Sequence, residues 1–202
     1  METGCGFIYG GVMRTDIALS FPLKRACVHE VCGNGALGFS AICAALAREQ
    51  MLWIRERWRS DVVNPVGLAA YLDPALILLA QVVSQAEALA VAEEALRDGA
   101  VPLVVIELTR PLNLTAGRRL QLAAQAGKTT GLCILPEGMG SHAATTRWRC
   151  SSVFDSQDAD STLMHWELIK NKSGTLCDWY VRWTPTKPNP ADRLAVVSPP
   201  RQ

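Results

Sequence analysis

The chain reads as an α/β protein: a mostly parallel sheet flanked by helices, with an antiparallel strand extension at its C-terminal end. Three observations carry that expectation. Short apolar runs alternate with amphipathic segments from about residue 27 to residue 135, the pattern of repeated strand–helix–strand crossovers. The last third changes to strands with alternating side chains joined by polar turns, which suits an antiparallel meander. Finally, 202 residues with 49% hydrophobic and only 19% charged residues can bury one full core and are too apolar for disorder.

The elements follow in order. CVHEVC over 27–32 is a strand running into a glycine-rich turn at 33–38, and a helix is expected from about Phe39 to Glu49. MLWI over 51–54 is a short buried strand. A helix around 67–72 is ended by Asp73-Pro74, because the residue before a proline is pushed out of the helical region. ALILLA over 75–80 reads as a fully buried strand. Ser84 and Glu87 form a capping box for a helix that reaches Asp98 and stops at Gly99. VPLVVI over 101–106 is a strand of the kind buried on both faces. Thr115 is placed to cap a helix over 116–126 that Gly127 ends, and GLCIL over 131–135 is the next strand. Residues 147–154, 164–171 and 177–184 make the three meander strands. The proline-rich end, 185–202, reads as an irregular tail, and residues 1–14 as an N-terminal one.

Composition excludes several classes. A net charge of +1 and a pI near 7.6 give no electrostatic mandate for nucleic acid. No apolar run approaches the ~18 residues of a membrane span, and the first residues lack a secretory pattern, so a cytoplasmic location without membrane contact is expected. The seven cysteines form no CxxC pair and read as reduced, mostly buried thiols. His29, His142 and His165 stand apart from other ligand types in sequence, so no metal site is expected.

The most informative window is Gly33-Asn34-Gly35-Ala36-Leu37-Gly38-Phe39-Ser40. It follows a strand, opens a helix and has the spacing of a phosphate-binding loop, with Phe39 at the lysine position. Backbone amides and a helix N-terminus suit a phosphate; the lysine reaches the β- and γ-phosphates, and the hydroxyl, here Ser40, ligates magnesium. Gly33, Gly35, Gly38, Phe39 and Ser40 are therefore a nucleotide-binding remnant, or else a tight turn whose glycines serve packing. Gly127-Lys128-Thr129 lacks the first glycine of such a loop. Glu107 ends its strand where a magnesium-binding acid would sit, and the alternative is a solvated strand-end carboxylate. Glu56, just after the strand over 51–54, is placed to polarise a water, and among Arg55, Arg57 and Arg59 it reads first as part of a surface charge cluster. Arg55, Arg57 and Arg59 alternate with Trp53 and Trp58, a pattern that can serve phosphate and base contact or simply an exposed face.

These residues carry a resemblance. Asp16-Ile17-Ala18-Leu19, Pro22, Arg25 and Glu30-Val31 leading into Gly33 and Gly38, the strand ending at Glu107, and Lys170-Asn171-Lys172 on a late strand resemble the RecA core over about residues 15–184. A more specific resemblance is to the ImuA family, on HEVCGNGALGFS (29–40), LTAGRRLQLAA (114–124), ATTRWR (144–149) and WELIKNK (166–172). The cell-division inhibitor SulA is similar in its middle portion in outline. The ImuA resemblance implies an adaptor of SOS-induced error-prone translesion synthesis. Its partners would be ImuB and, indirectly, a polymerase III-type alpha subunit, with RecA, single-stranded DNA and self-association as further candidates on the nucleoid of damaged cells. Arg118 and Arg119 are candidate interface anchors. No cofactor is assigned; ATP with magnesium is the one a working loop would take. The alternative functions are an oligomeric DNA-stimulated ATPase, with Lys170 and Lys172 supplied in trans to a neighbour's nucleotide, and SulA-like inhibition of division.

Overall fold

Apolar runs too short for helices, placed between helices, must pair with one another, and in the computed structural model they do so in one nine-stranded sheet. The structure describes residues 16–60, 64–155 and 160–200, with the backbone of a two-residue ladder, β1 (Ile8–Tyr9) and β2 (Val12–Met13). β3 (Val28–Cys32), β4 (Met51–Glu56), β5 (Ile77–Val82), β6 (Leu103–Glu107) and β7 (Thr130–Ile134) form a parallel block in the order β3-β7-β6-β4-β5. Their crossovers contain α1 (Ala36–Ala47), the one-turn α2 (Pro65–Leu68), α3 (Gln85–Asp98) and α4 (Leu114–Gly127). β8 (Thr146–Val153) lies parallel to β3 on its other side. β9 (Thr162–Asn171) and β10 (Cys177–Trp183) then add antiparallel strands. The fold class is the one the sequence predicts.

Alternation along the strands divides the core in two. Met51, Trp53, Leu103 and Val105 face α1, together with Trp148, Trp166, Trp179 and Trp183 of the antiparallel strands. Ile54, Val104, Ile106 and Cys133 face α3 and α4, where Ala88, Ala92, Leu96, Leu120, Ala123 and Ala124 meet them. Both faces of β3 and β6 are covered, so every residue of these strands is buried; β6 accordingly reads as an apolar run up to Glu107, while β3 carries His29 and Glu30 inside, each hydrogen-bonded.

Several boundaries differ from expectation. α1 starts at Ala36, because Gly35 is its N-cap. Asn113 caps α4, its Oδ1 accepting from the Ala116 amide at 2.8 Å, two residues ahead of the cap expected at Thr115. Gly127 remains helical, and Lys128 takes the left-handed conformation at φ 55°. Glycine is needed at 127 because a Cβ there would lie 2.0 Å from the Leu96 carbonyl oxygen, where the two helix ends touch. β5 is not a buried strand: residues 74–76 form a 3-10 turn, and β5 is the edge of the sheet, with Leu78 and Leu79 exposed. Nor is the C-terminal segment irregular. Pro190–Arg193 forms α5, and Leu194–Val197 pairs with β10 as β11.

Candidate functional site

The glycine-rich loop sits where the sequence puts it, at the carboxyl end of β3 and the start of α1, and β8 packs against it. Gly33 has φ +92°, and a Cβ there would lie 2.3 Å from the Cys150 carbonyl oxygen of β8. Gly35 donates its amide to that same oxygen at 2.8 Å, and the Asn34 side chain accepts from the Ser152 amide at 2.9 Å. Gly33 and Gly35 therefore admit the backbone of β8, while Gly38 faces the Met164 and Tyr71 side chains. Phe39 is fully buried; its ring lies 4.7 Å from Trp166, 5.4 Å from Trp148 and 5.7 Å from Phe21, centre to centre. Ser40 is buried as well, and its hydroxyl donates to the Ala36 carbonyl at 2.8 Å. Asn34 and Phe21 have roles here that sequence reasoning missed. An asparagine between two glycines was the available signal for the first; Phe21 had none.

Glu107 lies at the end of β6 but is neither solvated nor open. Its carboxylate accepts from the Trp53 indole at 2.7 Å and pairs with Arg59 at 2.9 Å and Arg55 at 3.5 Å. Glu107 and Arg55 are both almost wholly buried, so the pair is closed by hydrogen bonds and charge, as burial demands. Beside the first turn of α1 a cleft of about 260 Å³ is walled by Leu37, Gly38, Ala41 and Leu68 over Trp53, Arg55 and Glu107. That is below the roughly 300–1,000 Å³ of small-molecule sites. Glu56 is also buried, correcting the surface reading. Burial disfavours its charged form, yet hydrogen bonds from Thr109 and Trp58 and the charge of Arg110 hold its carboxyl below the ordinary value. Arg57 and Trp58 are exposed just past β4, while Arg55 and Trp53 are internal, so the alternation spans two environments.

Lys170 and Lys172 reach inward along their own chain. Lys170 donates to the carbonyls of Ser141, His142 and Ala144 at 3.0, 2.9 and 2.8 Å, and Lys172 to Ala143 at 2.6 Å. Burial, joined by the charges of Arg147 and Lys172, lowers the Lys170 pKa, with Glu30 opposing. The register of β8 and β9 slips by one residue here: Arg147 pairs with Lys170 but Trp148 with Leu168. Such a bulge re-aims side chains. Glu30, fully buried, completes the clamp by accepting from the Ser141 amide and from Arg147 Nε, both at 2.7 Å. Segment 141–144 is thereby fixed from four sides. β9 lies between β10 and β8 in the interior of the sheet.

The remaining candidates are dispersed. Arg119 on α4 pairs with Glu93 of α3 at 2.7 Å, and Arg118 is exposed. His29 is buried: its Nε2 donates to the Lys24 carbonyl at 2.9 Å, which leaves Nδ1 to accept from the Thr146 hydroxyl at 2.7 Å. Thr146 in turn accepts from the Trp148 indole at 3.0 Å. Burial pushes the thiols of Cys133 and Cys150 up. Among the described residues no three His, Cys, Asp or Glu side chains are grouped to hold a metal, and no helix is long and apolar enough to cross a membrane.

No family model matches the chain, and no curated protein matches it. Among solved structures it is similar to SulA from Pseudomonas aeruginosa at 29% identity and a TM-score of 0.45, over 54% of this chain and 97% of that one.

Proposed function

We propose that the protein is an ImuA-type adaptor of SOS-induced error-prone translesion synthesis, in which a RecA-like frame serves as a scaffold for ImuB and carries no chemistry of its own. The observation that supports this reading best is the filled phosphate loop. Phe39 belongs to a four-ring core cluster, Gly35 spends its amide on Cys150, and Ser40 spends its hydroxyl on its own helix. Phosphoryl transfer is almost entirely positioning and electrostatics, and each of these groups is committed to packing. The trans-lysine ATPase is less favoured, because Lys170 and Lys172 bind their own chain. Arg118 on the exposed side of α4 and Arg57 just past β4 are the exposed candidate anchors; RecA, single-stranded DNA and the polymerase are secondary partners on this reading.

The test is co-purification of the chain with ImuB, alongside calorimetric titration with ATP and magnesium. A stable complex and no saturable nucleotide binding at about millimolar ATP, a binding energy of roughly 4 kcal/mol, are expected. ATP turnover that Lys170→Ala abolishes, or the absence of any ImuB complex, overturns the reading.

A further inference from the structure

β5 is the sheet's exposed edge, and the chain around it is short of charge. Residues 64–86 hold one charged side chain, Asp73, in a protein with 19% charged residues. These residues comprise α2, β5 and the first two residues of α3, ahead of Glu87, and much of what they expose is apolar: Val66 at 82%, Leu78 at 44%, Leu79 at 46% and Val83 at 57%. Leu78 and Leu79 are adjacent, so they project from opposite faces of the strand, and both faces of the edge are apolar.

Proteins ordinarily blunt such an edge with lysine, proline, a bulge or a very short strand. The other edge of this sheet follows that rule: β11 has four residues, preceded by Arg193 and followed by Ser198-Pro199-Pro200. β5 has six residues, ILLAQV, with no charge, proline or glycine, and its register against β4 runs without a bulge from Ile77 to Val82. Left open, it is a template for another strand.

We infer that β5 is a dimerisation strand, pairing antiparallel with β5 of a second copy of this chain about a two-fold axis. The lack of charge selects this occupant. Complementary charges are what single out a foreign partner, and 64–86 offers one carboxylate to read. Two copies of β5 bring no like charges together on the ladder, and the isologous contact buries Leu78 and Leu79 of both. A six-residue strand spans about 20 Å, and a ladder alone is short of the ~800 Å² per partner of a stable complex. The apolar surface on either side, Val66 of α2 and Val83 ahead of α3, supplies the extension. Interface centres are depleted in charge in the same way. ImuB binding does not enter this inference or its test.

The test is the mass of the full chain in solution by sedimentation equilibrium between about 1 and 100 µM, concentrations that bracket binding energies of roughly 5–8 kcal/mol. The mass is expected to rise to two 21.9 kDa chains and stop there. Leu78→Lys and Leu79→Lys, one on each face, should each weaken the dimer at least about tenfold with the melting temperature of the monomer unchanged. Leu122→Lys, on the exposed side of α4, should leave dimerisation intact. A single-chain mass throughout overturns the proposal and leaves the edge to a foreign strand; so does a mass growing past two chains, or a dimer indifferent to both lysines. Should one of the two variants fail to fold, the other and the wild-type mass still decide.

Discussion

Putting the missing lysine back at residue 39 separates an unfinished nucleotide site from a packing turn. In an open phosphate loop Phe39→Lys would repair the site; here it puts an ammonium among Phe21, Trp148 and Trp166. Phe39 has no exposed surface, and removal of a fully buried phenylalanine ring costs about 3–5 kcal/mol. The lysine adds either a desolvated charge or the work of deprotonating it. Phe39→Lys should therefore destabilise by about 4 kcal/mol or more, against a total of roughly 5–15 for a domain. At 2–4 °C per kcal/mol for this size, the melting temperature falls by about 8–16 °C. The assay is urea denaturation with calorimetric ATP titration on the same sample, Phe39→Ala separating loss of the ring from gain of charge. A Phe39→Lys protein of wild-type stability that binds ATP would refute the reasoning, because the loop would then have room for both lysine and phosphate.

Three further perturbations probe the same frame. His29 has its pKa lowered to about 4, chiefly by burial, with the Lys24 hydrogen bond opposing. The unfolded chain, near 6.5, thus binds the proton first, and stability present above pH 6.5 drains as the pH falls toward 4. This contribution amounts to about 3 kcal/mol, and the urea midpoint of wild type should fall more steeply over that range than that of His29→Gln; parallel curves would count against it. Glu107→Gln strips Arg55 and Arg59 of their shared carboxylate. Breaking a buried pair from one side costs about 3–5 kcal/mol, whereas a solvated carboxylate would leave urea unfolding within ~0.5 kcal/mol of wild type. Lys170→Met removes three charge-assisted bonds to segment 141–144 and should cost about 2 kcal/mol or more, with faster amide exchange confined to that segment; unchanged exchange would mean that Glu30 and Arg147 suffice.

Much of the frame is legible in the amino-acid sequence. Half of the capping box at Ser84 forms as expected, Glu87 donating its amide to the Ser84 hydroxyl; the Glu87 carboxylate accepts from the Val83 amide, one residue ahead of the cap amide the box calls for. Burial on both faces writes itself into β6 as the apolar run ahead of Glu107, whereas β3 buries His29 and Glu30 as well. The same rule failed for ALILLA. An apolar run reports that a strand avoids charge, and it cannot report whether the cover is the protein's own helix or another molecule. The Pro-rich C-terminal segment was misjudged for a related reason: β11 has four residues, too few to show a period, and it exists because β10 offers it a ladder.

Local chemistry determined the elements themselves: caps, breakers, strand periods and the turn at Gly33, whose positive φ only glycine accepts comfortably. Tertiary structure decided what the motif residues do. Phosphate loops and tight strand-to-helix turns share one glycine spacing, and the difference is whether the concavity meets solvent or, as here, the Cys150 carbonyl of β8, more than a hundred residues away. Lys170 is a free cation in sequence and a clamp in space because a one-residue slip in β8–β9 pairing turns it toward 141–144. These outcomes depend on distances between segments remote along the chain, and spacing along the sequence carries no information about such distances.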